Sequence, residues 1–78
     1  MTVSAYVLIQ TEMDKANHVA TSIRVIDGVV TADIMTGPYD VIARCEAETM
    51  DDLGRMVVSQ IQMVDRITRT LTCPIVNL

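Results

Sequence analysis

A single histidine and two widely separated cysteines leave this 78-residue chain poorly supplied for metal or nucleophile chemistry. His18 has no second histidine to share an ion, and neither Cys45 nor Cys73 has a Cys or His at ligand spacing beside it. Both thiols fall in strand-like runs and read as small hydrophobes; a disulfide would need an oxidising compartment, to which nothing else in the chain points. Cationic clusters are missing too: Lys15, Arg24, Arg44, Arg55, Arg66 and Arg69 are dispersed, and ten acidic residues bring the net charge to −4. That balance excludes the electrostatic footprint of a nucleic-acid binder and gives no attraction to anionic membranes. No apolar run approaches the ~20 residues that cross a bilayer, and the N-terminus lacks a basic region followed by an apolar segment and a cleavage site. The expectation is a soluble, cytoplasmic protein. A phosphate-binding glycine loop, a serine nucleophile elbow and a Cys-His pair are all absent. The adjacent carboxylates Asp51 and Asp52 stand at a helix start, where they suit the helix dipole better than acid-base work. No catalytic residue, metal ligand or cofactor motif emerges, and with no repeat, low-complexity stretch or linker the chain reads as one domain, residues 1–78.

What is present is apolar surface. Half of the residues are hydrophobic and the mean hydropathy is +0.34, yet a chain this short buries only about 60% of the surface its unfolded form exposes. Residues 3–10 form a strand that is apolar on both faces. Thr11 and Asp14 are candidate caps for a helix in which Ala16, Val19, Ala20, Ile23 and Ile26 recur at helical spacing, stopped by Asp27-Gly28. Val29 to Met35 read as a second strand. Val41 to Ala47 read as a third, with Val41, Ala43, Cys45 and Ala47 on one face and Arg44 and Glu46 on the other. Thr49, three residues before Asp52, is the cap of a second helix carrying Leu53, Met56, Val57, Ile61 and Val64, with Gly54 a mild weakness. Met50, Met56 and Met63 form a helical stripe that reads as core. From Ile67 the chain alternates again, Ile67, Arg69, Leu71 and Cys73 against Thr68, Thr70 and Thr72, until Pro74.

The order strand-helix-strand-strand-helix-strand gives two split βαβ halves, and right-handed crossovers make this an α+β, ferredoxin-like sandwich. Two helices then cover one face of a four-stranded antiparallel sheet. The second face needs a partner, and a homodimer packed sheet on sheet supplies it. An ordinary interface removes about 800 Å² per partner, and at roughly 25 cal/mol per Å² its apolar part contributes several kcal/mol before association costs.

The one local cluster of ligand-friendly groups is Thr36-Gly37-Pro38-Tyr39-Asp40, between the second and third strands. Gly37 allows backbone conformations closed to other residues and Pro38 fixes its own φ. Two readings fit it: a hairpin turn whose Asp bonds its own backbone, or a binding loop in which Asp40 accepts from an ammonium group and backbone amides meet a carboxylate. Thr70 and Thr72 either populate a strand they favour or add neutral donor-acceptors to the same ligand, a free amino acid.

Val29, the run Thr36-Gly37-Pro38-Tyr39-Asp40-Val41-Ile42 and the strand Ile67-Thr68-Arg69-Thr70-Leu71-Thr72 resemble, in that order, the effector-binding (RAM) domain of the Lrp/AsnC, or feast/famine, transcriptional regulators. The resemblance spans essentially the whole chain. It implies a ferredoxin-like domain whose sheet-packed dimers (dimeric α+β barrels) assemble into rings, commonly octamers, with amino acids bound in clefts between dimers. Carried over by motif position, Gly37, Tyr39, Asp40, Thr70 and Thr72 are the implied effector contacts, with Thr36 and Pro38 shaping the loop. Two departures stand out: the chain starts at the first strand, with no helix-turn-helix domain and hence no implied DNA contact, and Arg66 replaces a glycine common in the family before the last strand. The expected function is an oligomeric, non-enzymatic amino-acid sensor that modulates transcription by assembling with itself or with full-length regulators. The alternatives are a small dimeric α+β barrel enzyme, with His18 and Tyr6 as pocket handles, and a ligand-free scaffold partner.

Overall fold

The first strand occupies the middle of the sheet, and the rest of the fold is arranged around it. A computed structural model describes residues 2–78, with β1 at Val3–Thr11, α1 at Ala16–Arg24, β2 at Val29–Ile34, β3 at Val41–Ala47, α2 at Met50–Met56 and β4 at Ile67–Pro74. The strands form one antiparallel sheet in the order β2-β3-β1-β4. This is the expected βαββαβ sandwich. Ala5, Val7 and Ile9 of β1 are fully buried with Val41, Ala43 and Cys45 of β3, beneath Val19, Ala20 and Ile23 of α1 and Leu53 and Met56 of α2. Alternation along β1 leaves Tyr6 and Leu8 on the far face. There they pair with Arg44 and Ile42 of β3 and with Cys73 and Leu71 of β4.

That far face carries a modest apolar strip. Tyr6 and Leu71 remain 40% and 46% exposed. The Arg44 guanidinium lies 5.7 Å from the centre of the Tyr6 ring, an exposed cation–π contact, and its other arm is 3.7 Å from Glu46.

Several local features differ from the sequence expectation, each for a physical reason. Neither Thr11 nor Asp14 caps α1: the cap position is Lys15, without a side-chain bond, and Asp14 instead takes a left-handed φ of 63° in the connecting turn. The helix stops at Arg24, so Ile26 packs against the core from the following turn. Gly28, with φ 97°, is required at that turn, because a Cβ there would come within 3.1 Å of the Glu46 carbonyl oxygen. The second strand ends at Ile34, one residue short of Met35. The second helix is not one α-helix. Thr49 caps it as expected, its hydroxyl accepting from the Asp52 amide at 3.1 Å, but after Met56 it widens into a π-helical turn, Val57–Ile61, that keeps Val57 and Ile61 in the core. Only Met56 of the methionine stripe is buried; Met50 and Met63 are 44% and 75% exposed, because the altered helical phase carries Met63 off the buried side. In β4 a register shift opposite Gln10/Thr11 breaks the alternation. Ile67 therefore packs toward the core while Leu71 and Cys73 lie on the far face. Pro74 still pairs with Ala5, since an edge strand has no second ladder to lose.

Ile23→Ala removes a fully buried side chain from the main layer and is expected to cost about 2–5 kcal/mol in urea unfolding, against about 1 kcal/mol for the cap substitution Thr49→Ala. Burial pushes the Cys45 thiol from its ordinary 9.0 up to about 11. At pH 8, native protein is expected to keep Cys45 unalkylated by iodoacetamide until it is unfolded. Because the unfolded thiol ionises first, stability is expected to fall as pH rises from 9 towards 11, which a pH series of urea midpoints checks.

Candidate functional site

Three connections meet at the end of the sheet where β1 finishes. The β2–β3 loop, residues 35–40, is closed by the Met35 amide donating to the Asp40 carbonyl at 2.9 Å. It is then sewn to β1 by three bonds. The Asp40 amide donates to the Ile9 carbonyl at 2.8 Å, Asp40 Oδ2 accepts from the Thr11 amide at 2.8 Å, and Gln10 Nε2 donates to the Pro38 carbonyl at 2.8 Å. Asp40 therefore bonds the backbone of another strand, not its own, and ends the β1 ladder where a bulge would leave an amide unpaired. Gly37 has a φ of 148° with nothing within 4 Å of a notional Cβ, so backbone conformation alone calls for glycine there.

The other two connections are tied together beside this loop. The Glu12 amide donates to the Arg66 carbonyl at 2.9 Å. The Arg66 guanidinium lies 3.4 Å from Glu12 and 3.7 Å from Asp65, and His18 Nε2 lies 2.7 Å from Asp65 Oδ1. The His18 hydrogen bond, with the charges of His18 and Arg66 behind it, holds the exposed Asp65 carboxyl below its ordinary range. Arg66 has a φ of 74°, the left-handed conformation that glycine adopts without strain. Its side chain makes these exposed ion pairs, which solvent screens and which therefore compensate only in part.

Thr70 sits opposite Ile9, on the helix-covered side of β4, and accepts a hydrogen bond from Gln62 Nε2 at 2.9 Å. Gln62, Ile67, Thr68, Arg69 and Thr70 line an open cleft of about 270 Å³. Thr72 lies two residues further along, opposite Val7, and does not line it. A larger hollow of about 350 Å³ runs along the outer edge of β2, but none of the candidate site residues lines it, and its arginine, Arg24, donates to the Ala32 carbonyl at 2.9 Å. The loop and Thr70 share one end of the sheet with β1 between them. Two strand spacings, about 10 Å, separate them, so one protomer presents two half-sites and no closed pocket joining them. Sequence reasoning passed over Gln10 and Gln62, which carry no local signal, and Arg69, which stands between Thr68 and Thr70 and pairs with Gln10. Tyr6 and His18 lie on opposite faces of the sheet, so the pocket imagined for an α+β barrel enzyme does not form within this chain.

The model of the Lrp/AsnC ligand-binding domain matches residues 4–77. The chain belongs to the Lrp/AsnC family. That family is one of regulatory ligand-binding domains and is not a known enzyme family. TTHA0845 from Thermus thermophilus superposes with a TM-score of 0.91 at 24% identity, over 97% of this chain and 95% of that one. E. coli AsnC superposes at 0.89 with 21% identity, over 97% of this chain but 52% of AsnC. The transcriptional regulator NMB0573 of Neisseria meningitidis, solved as its complex with L-Met, superposes at 0.83 with 14% identity, over 96% of this chain and 50% of that one. At these identities the likeness to the three structures is one of fold. No curated protein sequence matches the chain. Among the described residues no helix is long and apolar enough to cross a membrane.

Asp40→Ala leaves the part-buried Thr11 amide without its acceptor and is expected to cost about 1–3 kcal/mol. Amide exchange resolved by residue is expected to show protection lost at Thr11 and through the loop, with Val7 in the strand centre unchanged.

Proposed function

We propose that this Lrp/AsnC domain is a cytoplasmic sensor of free amino acids, in which residues 1–78 act as one unit and the effector binds between assembled subunits. The observation that carries this reading is the split arrangement at the end of the sheet: the Thr36–Asp40 loop on one side of β1, the Thr70 cleft on the other, and about 10 Å between them. A small effector reaches both kinds of surface only where two subunits present them to each other. Gly37, Tyr39 and Asp40 contribute from the loop, with Thr36 and Pro38 shaping it, and Thr70 from the strand; Thr72 borders that surface. The L-Met complex of the neisserial regulator, which shares the fold, supports an amino acid as the effector class.

Assembly begins with a homodimer through the far face of the sheet, whose strip of Tyr6, Leu8, Ile42, Leu71 and Cys73 no helix covers. Dimers then join into a ring, an octamer by family resemblance, alone or with full-length regulators. The mechanism is linkage: an effector that touches two dimers favours the state in which they are joined, to the extent that it binds that state more tightly.

One observation favours a second reading, that of a ligand-free scaffold. The Asp40 carboxylate already has a structural bond to the Thr11 amide.

Native mass spectrometry and analytical ultracentrifugation with each of the twenty common amino acids are expected to show dimers that shift to a larger ring in the presence of at least one. Tyr39→Ala and Thr70→Val are expected to weaken that response at least tenfold while dimers persist. Unchanged assembly and no calorimetric binding of any amino acid would leave the scaffold reading standing.

A further inference from the structure

Two charges on the far face of the sheet have no partner within the protomer. Asp33 of β2 pairs with Ile42, and Arg69 of β4 pairs with Gln10, so alternation places both side chains on the face that carries Tyr6, Leu8 and Leu71. Among the described residues neither side chain enters an ion pair or a hydrogen bond, whereas Arg44 on the same face is engaged by Tyr6 and Glu46. Asp33 and Arg69 stand on opposite edge strands of the order β2-β3-β1-β4. Three strand spacings, roughly 14 Å, separate them, too far for one to neutralise the other within a single chain.

We infer that Asp33 and Arg69 pair between two copies of this chain and so fix how their sheets stack, about a two-fold axis parallel to the strands and over the seam between β3 and β1. This rests on the reading of the far face as the homodimer surface and adds to it the residues that decide its orientation and its choice of partner. Two sheets with aligned strands can be related in two ways. With the axis along the strands, β2 lies over the partner's β4; with the axis across them, each edge strand lies over its own copy. In the second form Arg69 faces a strand, Ile67–Pro74, that has no acidic residue, and Asp33 faces a strand, Val29–Ile34, that has no basic one. In the first form each faces the other. Asp33 shares a row with Leu8 and Leu71, and Arg69 is two residues beyond Leu71. The offset is roughly 7 Å along the strand, which the arginine stem spans while lying on apolar surface. Symmetry makes the pair occur twice, once at each rim of the apolar strip. The same axis sets Leu8 over the partner's Ile42, so apolar side chains meet at the centre. Partner choice follows: another chain joins this one through the far face only where its edge strands offer a basic and an acidic residue at these places, because like charges there oppose docking.

Sedimentation equilibrium and native mass spectrometry on the full chain test this, with wild type, Asp33→Lys, Arg69→Glu, the double variant carrying both changes, and Leu71→Asp. The last puts a charge into the apolar strip and reports whether the far face is the dimer surface at all. All three positions are exposed, and circular dichroism is expected to show every protein folded. Leu71→Asp and each single charge variant are expected to dimerise at least tenfold more weakly than wild type, the charge variants because two like-charge contacts replace two ion pairs. The double variant is expected to regain the wild-type affinity. So is an equimolar mixture of the two single variants, in which mass spectrometry finds mainly heterodimers, because lysine meets glutamate at one rim and arginine meets aspartate at the other. Single charge variants that dimerise as well as wild type, or whose weakness neither the double variant nor the mixture repairs, overturn the inference; if Leu71→Asp still disrupts the dimer, the sheet-packed homodimer stands. A dimer indifferent to Leu71→Asp, or a wild-type chain that forms no dimer, overturns both.

Discussion

The pairing of β1 with both β3 and β4 is the constraint on which the remaining structure depends. A central strand has no free edge, so its donors and acceptors are committed along its length, and any apolar face it carries calls for cover. Ala5, Val7 and Ile9 satisfy that demand on the helix side, and Tyr6 and Leu8 create it again on the other. The same strand also organises the candidate site. Where β1 finishes, its last ladder groups are met by Asp40 on one flank and by the Arg66–Ile67 turn on the other.

Because the loop is bound to β1 through Asp40 and Gln10, and the turn before β4 through Glu12, Arg66 and Asp65, the end of the sheet is held by directional polar contacts. None of these is strong alone, and the ion pairs are exposed. Their effect is positional: backbone bonds set where the Tyr39 loop and Thr70 stand on either side of β1. A site of this kind, polar and open, suits a small charged effector better than an apolar ligand, which would need an enclosed cavity.

Strand and helix order, the α+β class, the inward face of β3 and the cap at Thr49 were all legible in the chain, because period-two and period-3.6 patterns and cap chemistry are local properties. The misses share one cause. Lys15 in place of Asp14 at the first cap, the π-helical turn after Met56, the exposure of Met63 and the bulge in β4 arise where packing against another element overrides local preference. At the candidate site, the loop was visible from Gly37 and Pro38, whereas the partnership of Asp40 with Thr11 joins residues 29 apart and has no sequence signature.

The sequence by itself determined the element order, the apolar excess and the family resemblance, since each is written in residue type and spacing. Only the tertiary structure decided what those residues do at the end of the sheet. It gave Asp40 a structural bond, showed that Arg66 occupies a backbone conformation suited to glycine, and turned Thr70 to the helix side of β4, where it meets Gln62. The physical reason is that hydrogen-bond partnership and charge compensation depend on distances across strands, which pairing register alone establishes.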